Sequence, residues 1–390
     1  MRAWVDAVLA RDASGLVAAL LLGALALAAR GSAAALPVGA VALVLALGSL
    51  RHLLAVRATM RRHPPPGRRV DVGGWSMHVL AEGPVEAGRP TLVWFAGAHA
   101  GGLSIRHLHD ALRGHTRSVL IDRAGAGWSD PGPFPRSTAR EAVECLRALD
   151  AAGERGPFVF IGHSFGGLLA ANMARRRLEA TAALVLLDAT PPDTIVYGPR
   201  QAGLRALGRQ TWLTGVLRLV GVHQRAHERA HERAQDRPVA DSAWERALGG
   251  ALQVDRALGV RSRGFIATAS IFAELQPEGM AAAAWETAVY DGDLGDLPLY
   301  LVAPDRVEPE LPQLQEYAAA GPAERERIAR VIARTRERYL AASSRARRIV
   351  TPAGTSHVFP YEDPDFVVRL VRDIVDGLAP PCAAATRCAS

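Results

Sequence analysis

Beyond Arg69 the chain alternates between short, almost unbroken apolar runs and longer stretches whose apolar residues recur every three or four positions. The first kind suits strands buried on both faces. Its alternation with the second predicts an α/β architecture, a mostly parallel sheet flanked by helices. The strand-like runs are Val70–Val72 and Met77–Leu80, joined through Gly73-Gly74 as an opening hairpin, then Thr91–Phe95, Ser118–Ile121, Phe158–Ile161, Ala183–Leu187, Leu299–Val302 and Arg348–Val350. Ser137 is placed to cap a helix reaching about Ala152, and Asp363-Pro364 opens a last helix whose Val367, Leu370, Val371, Ile374 and Leu378 share one face. About a hundred residues separate the run ending at Leu187 from the one starting at Leu299, too many for a crossover. Residues 192–295 are therefore expected to form an inserted helical lid.

The first 63 residues follow another pattern. Ser14–Ala29 and Gly31–Leu50 carry no charge, and their Ala, Leu and Val side chains leave no polar face, which suits lipid better than a protein core. At about 1.5 Å per residue the second stretch reaches roughly 30 Å, the hydrocarbon thickness, and the first about 24 Å. Residues 1–63 are read as a membrane anchor of one or two spans, with membrane lipid as its partner. A cleaved signal peptide is the alternative for the first run, with Ala33-Ala34-Ala35 as the cleavage site, but it leaves the second run in place. Arg51, Arg57, Arg61, Arg62, Arg68 and Arg69 follow the second run, against Arg30 in the turn. The positive-inside bias then puts the remainder on the cytoplasmic side. Pro64-Pro65-Pro66-Gly67 stops the helix, so residues 64–69 form a linker. The expected division after it is a core of residues 70–191 and 296–380, the lid between them, and a flexible tail at 381–390.

Composition then narrows the chemistry. All 46 basic residues are arginine, and a chain without lysine excludes Schiff-base aldolases, pyridoxal enzymes, protein kinases and Walker-type NTPases. The net charge of +7 resides at the N-terminus: residues 1–69 hold nine arginines against two aspartates, leaving 37 basic and 37 acidic residues beyond. No nucleic-acid partner is expected from that balance. Cys145, Cys382 and Cys388 are too few and too badly spaced for a zinc ribbon or a disulfide framework. His223, His227 and His231 recur every four residues among Arg-Ala-His-Glu repeats, which a solvated helix stitched by arginine-to-acid pairs explains without a metal. Neither metal nor cofactor is expected.

The sharpest signal lies at Phe158-Val-Phe-Ile-Gly-His-Ser-Phe-Gly-Gly-Leu-Leu-Ala, where a buried strand runs into a helix through Gly162-x-Ser164-x-Gly166. A serine on so sharp a turn needs glycine or something equally small two residues before and after it, and this context makes the run a nucleophile elbow. A dinucleotide loop fails, because glycines at 162, 166 and 167 do not give G-x-G-x-x-G. A serine hydroxyl needs an imidazole to take its proton. His357 follows the last strand-like run and precedes the final helix, which hangs it at the sheet edge where the serine sits. His163 is locked in the elbow, His99 lies in the loop after Phe95, and the lid histidines are remote. A tetrahedral oxyanion needs two donors: the backbone N–H of Phe165, after the nucleophile, and the amide of Ala98 in the glycine-flanked run Ala96-Gly97-Ala98-His99-Ala100-Gly101-Gly102.

These stretches, with Pro64–Val72, Asp122-Arg123-Ala124-Gly125-Ala126-Gly127-Trp128-Ser129-Asp130 and Gly354-Thr355-Ser356-His357, resemble the α/β-hydrolase superfamily, in particular its membrane-anchored bacterial members. The resemblance spans residues 64–378. It implies an α/β-hydrolase fold and a serine hydrolase that cleaves an ester-like bond in a small molecule through an acyl-enzyme on Ser164. Carboxylic-ester hydrolysis is the first expectation. Thioesterase, lactonase or amidase activity and a non-catalytic binding protein of the same fold are the alternatives. The Asp122–Asp130 segment resembles a structural turn. Serine at 164, where the similar haloalkane dehalogenases and epoxide hydrolases carry a carboxylate, separates the chain from them. For the triad acid the commonest pattern places an aspartate after the strand that follows the lid, and Asp305 and Glu308 both fit that spacing poorly. Some relatives carry the acid where the strand before the lid ends, which makes Asp188 the expected acid and Asp305 the alternative.

Overall fold

The computed structural model describes residues 2–97, 100–190, 202–222, 242–274, 292–304 and 320–378. Eight strands, β1 (Arg68–Asp71), β2 (Ser76–Glu82), β3 (Thr91–Phe95), β4 (Ser118–Ile121), β5 (Phe158–His163), β6 (Thr181–Leu187), β7 (Leu299–Ala303) and β8 (Ala346–Val350), form one sheet in the order β1-β2-β4-β3-β5-β6-β7-β8. The opening hairpin pairs antiparallel with itself and with β4, and every later pair is parallel. This is the architecture expected of an α/β-hydrolase.

Around the sheet lie α4 (Arg106–Leu112), α5 (Thr138–Ala151), α6 (Phe165–Arg176), α11 (Pro322–Ala341), α12 (Phe359–Glu362) and α13 (Pro364–Leu378). Every residue of β3 and β5 is buried, and their side chains alternate between two cores. Val93, Phe95, Phe160, Leu184 and Leu186 pack with Cys145 and Leu149 of α5 and Leu169 and Met173 of α6. Leu92, Trp94, Val159, Ile161 and Val185 pack on the other face with Leu108 and Leu112 of α4 and Val367, Val371 and Ile374 of α13. Burial on both faces is why these strands read as unbroken apolar runs. The helix starts follow from their caps: Ser137 Oγ accepts from the Arg140 amide at 3.2 Å, and Asp363 Oδ1 from the Phe366 amide at 3.0 Å.

Within the stretch between β6 and β7, the described helices are α7 (Ala202–Leu219), α8 (Ala243–Leu248), α9 (Gly250–Leu258) and α10 (Ser262–Glu274). The Arg-Ala-His-Glu repeats, with His223, His227 and His231, lie outside the described residues, as do Cys382 and Cys388.

Ahead of the sheet stand α1 (Arg2–Leu9), α2 (Ser14–Ala28) and α3 (Ala35–Arg62). The apolar run Gly31–Leu50 marks only part of α3, which continues through Arg51 and His52 because nothing breaks it before Pro64. Among the described residues, α3 is by length and composition the one helix long and apolar enough to cross a membrane, and α1 with α2 meets the same test as a pair bent by 101°. Leu20, Leu21, Leu43, Val44 and Leu47 are exposed. The expectation of lipid on every side needs one correction: Ser49 and His52 of α3 are fully buried, and a Cβ on Gly15 or Gly48 would fall 2.4 or 2.0 Å from the carbonyl oxygen of Leu219 or Val220. One side of the hairpin packs backbone to backbone on the end of α7.

Candidate active site

Ser164 is the single residue between β5 and α6. Its φ of 53° is left-handed, a conformation that a β-carbon opposes by about 1–2 kcal/mol. The turn is held by its surroundings. A Cβ on Gly162 would fall 2.1 Å from the Gly166 oxygen, one on Gly166 2.4 Å from the Phe95 oxygen, and one on Gly167 2.2 Å from the Ala189 Cβ. The glycine spacing read from the sequence is thus a packing requirement.

Among the described residues one other non-glycine has a positive φ, and it is Asp188, at 42°. It sits just past β6, where its amide donates to Val302 O at 2.7 Å. Two backbone bonds tie its turn to the serine's: Ser164 N donates to Leu187 O at 3.1 Å and Thr190 N to Ser164 O at 3.0 Å. The Asp188 carboxylate is almost fully buried and reaches in two directions. Oδ2 lies 2.8 Å from His357 Nδ1, and Oδ1 lies 2.6 Å from Nη2 of Arg336 on α11, a charge contact rather than an aligned hydrogen bond. Nothing in the apolar pattern marks Arg336. The signal available was the Gly321-Pro322 helix start ahead of an Arg/Glu-rich run, which announces a helix but not its target.

His357 lies between β8 and α12, and its side chain is 20% exposed. Its loop is braced by Glu362, which accepts from the Ser356 amide at 2.7 Å and the Ser356 hydroxyl at 2.8 Å. His163, beside the serine, contacts the loop from below: its Nε2 donates to His357 O at 2.8 Å, and the two rings stand 4.9 Å apart. Burial, reinforced by repulsion from a charged His357, pushes the pKa of His163 down to about 3, so its ring is neutral. His163 is thereby fixed as a donor to the loop, and of these two rings it is His357 that both meets a carboxylate and retains access to solvent.

Phe165 opens α6, where the first backbone N–H groups have no partner within the helix. Its ring is buried beneath the Arg123 guanidinium, 5.5 Å from the centroid. Ala98 and Asp305 lie outside the described residues. The loop that continues from Ala98 is anchored by Asp122, whose carboxylate accepts from Gly102 N at 2.7 Å and Trp128 N at 3.0 Å and faces His78 Nδ1 at 2.9 Å. The Asp122–Asp130 turn therefore clamps the glycine loop after β3.

A cavity of about 250 Å³ opens between Ala100-Gly101, Gly125–Gly127 and Thr211, Asp255, Arg261 and Phe265 from the stretch between β6 and β7. Ser164 and His357 are not among its lining residues. Burial and the nearby Asp122 charge raise the Asp255 carboxyl to about 6, against a smaller opposing effect of the Ser104 hydroxyl, 3.4 Å away.

The family described as Thioesterase domain matches residues 90–228. The Klebsiella pneumoniae protein named "Putative carbamate hydrolase RutD" is similar at 35% identity over 132 residues, 32% of this chain and 49% of that protein. Polyketide synthase ThaQ of Burkholderia thailandensis is 34% identical over 99 residues, 25% of this chain and 5% of ThaQ. The match spans about half the length of the first curated relatives. Among solved structures, a probable hydrolytic enzyme from Pseudomonas aeruginosa superposes with a TM-score of 0.57 at 16% identity, covering 80% of this chain and 95% of that one. A thermophilic esterase from Thermogutta terrifontis gives 0.51 at 16% identity, covering 80% and 99%. Together with the strand order, these likenesses establish the α/β-hydrolase fold.

Proposed function

We propose that the protein is a serine hydrolase that cleaves an ester-like bond of a small molecule through an acyl-enzyme on Ser164. One observation carries this reading: the two left-handed non-glycine residues among those described, Ser164 and Asp188, stand on adjacent strand ends joined by hydrogen bonds, and His357 sits on the second. Backbone strain of this kind persists where the surrounding structure over-determines it, and it clusters at active sites.

In the proposed reaction His357 Nε2 takes the Ser164 hydroxyl proton as Oγ bonds to the substrate carbonyl carbon. The Phe165 and Ala98 amides receive the oxyanion. Collapse breaks the bond to the leaving group, which takes the proton from Nε2, and a water activated by the same nitrogen releases the acid and restores the serine. Asp188 Oδ2 accepts the Nδ1–H throughout, fixing the tautomer and stabilising the imidazolium. No step draws on a metal or cofactor. Residues 192–295 serve as the lid over this site, and residues 1–63 tether it to a membrane with the site on the cytoplasmic side.

The match to the thioesterase family favours a second reading, a thioester substrate on the same residues. A fluorophosphonate probe tests the shared chemistry: the folded protein is expected to label, and Ser164→Ala to lose the label. Labelling that persists in the variant, or is absent from the folded wild type, overturns the reading. Parallel turnover of p-nitrophenyl esters and acyl thioesters of matched chain length then separates the two.

A further inference from the structure

We propose that Arg336 is a positioning residue for the Asp188–His357 pair, a guanidinium delivered by α11 that grips the carboxylate from the side opposite the imidazole. The inference rests on the serine-hydrolase reading and adds a residue to it. Asp188 is held in a left-handed turn, and a contact on its second oxygen adds a further point that fixes the direction of the carboxylate. Arg336 engages it: Oδ2 faces His357 Nδ1 at 2.8 Å, and Oδ1 faces Arg336 Nη2 at 2.6 Å. The arginine side chain is itself only 10% exposed, so the contact is not a loose surface pair.

The helix is registered to the same turn a second time. One turn beyond Arg336, Tyr339 is fully buried and its hydroxyl donates to Thr190 O at 2.9 Å, two residues past the acid. Thr190 N in turn donates to Ser164 O. Side chains three apart on one face of α11 therefore hold the acid turn by its charge and by its backbone, and the brace runs on into the serine's own turn.

The charge has a consequence that packing alone lacks. Asp188 from the end of β6, His163 from β5, Arg336 from α11 through Asp188, and Glu362 from α12 through Ser356 are titratable or charged groups that face His357. His163 is neutral because burial holds its pKa near about 3, and Glu362 is spent on the Ser356 amide and hydroxyl. Arg336, 2.6 Å from Oδ1, is a cation that offsets the Asp188 charge. Without it the carboxylate stabilises the imidazolium undiluted, His357 holds its proton to higher pH, and the base form is lost earlier on acidification.

The test uses the full-length protein with a soluble p-nitrophenyl ester, kcat/KM being followed between about pH 5 and 9. Arg336→Gln is expected to lower kcat by about 10- to 100-fold and to move the acidic limb up by about half a pH unit or more. Arg336→Lys retains a cation, so its limb is expected to stay at the wild-type position. Wild-type turnover and an unmoved limb in R336Q overturn the proposal, as does an equal loss in both variants with neither limb moved, which is the signature of packing alone. Should R336Q fail to fold, Arg336→Met, which keeps the aliphatic stem and removes the charge, decides by the same pH profile: an acidic limb moved up supports the clamp, and an unmoved limb with wild-type turnover overturns it. A wild type that neither labels with fluorophosphonate nor turns over ester overturns the hydrolase reading itself. Normal wild-type labelling beside an indifferent R336Q overturns the clamp alone.

Discussion

Ser164 and Asp188 share a predicament: each carries a β-carbon in backbone that favours glycine, and each is held there by hydrogen bonds from neighbouring strand ends. The serine was legible because its turn imposes a local glycine spacing, and His357 because a loop after the last strand has few places to go. Asp188 was legible only by position at a strand end, and Arg336 was not, since its partner lies 148 positions earlier and nothing nearby in sequence points to it. The proposed division of labour has a direct test in the acid. Asp188→Asn leaves shape intact but presents an amide to Nδ1, which favours the wrong tautomer. It is expected to lower kcat by about 10⁴, whereas Asp305→Asn should turn over ester at nearly the wild-type rate. Steady-state hydrolysis by the two variants decides it, and a crippled Asp305→Asn beside an active Asp188→Asn moves the acid to the far side of the lid.

At the scale of elements, the central strands announced themselves because burial on both faces leaves little but Val, Ile, Leu and Phe. Their ends were less visible: β8 begins at Ala346, and Arg347 enters through its pairing with Tyr300 rather than through any apolar signal of its own. Helix α11 was not read from the sequence, and among its described residues it buries Arg336 and Tyr339. A helix of the stretch between β6 and β7 supplies a prediction of its own. Asp255 on α9 titrates at about 6 in the folded chain against an ordinary value of 3.8, so the fold holds its proton more tightly than the unfolded chain does. That contribution to stability is intact below about pH 4 and is lost as pH rises through 6, where ionising the buried carboxyl becomes a cost. Asp255→Asn is therefore expected to exceed the wild type in stability by up to about 3 kcal/mol at pH 8 and by much less at pH 4.5. Melting temperatures at the two pH values measure this, and an advantage that does not change with pH refutes it.

For the whole molecule, what matters is where the ends of the N-terminal hairpin are tied. Ahead of α2, Asp6 accepts from Trp212 Nε1 at 2.9 Å, and Asp12 accepts from the Ser262 hydroxyl at 3.3 Å, with Arg261 Nε 3.6 Å away. Just past the end of α3, His63 O accepts from Trp128 Nε1 at 2.8 Å. Both ends thus rest on the helices between β6 and β7 and on the core. A single crossing, with the chain's start on the far side of a bilayer, would break the first set of contacts, so the proposed anchor enters as a two-helix hairpin with both ends on the catalytic side. Its exposed leucines then meet lipid, and Arg51, Arg57, Arg61 and Arg62 lie toward the catalytic side, as the positive-inside bias requires. The tip, between α2 and α3, is the part that must face across the membrane. In a background with Cys382 and Cys388 replaced by serine, Ser32→Cys is expected to react with a membrane-impermeant maleimide added outside intact bacterial cells. Reaction that appears only after permeabilisation would place the tip on the same side as the catalytic part and remove the hairpin from the bilayer.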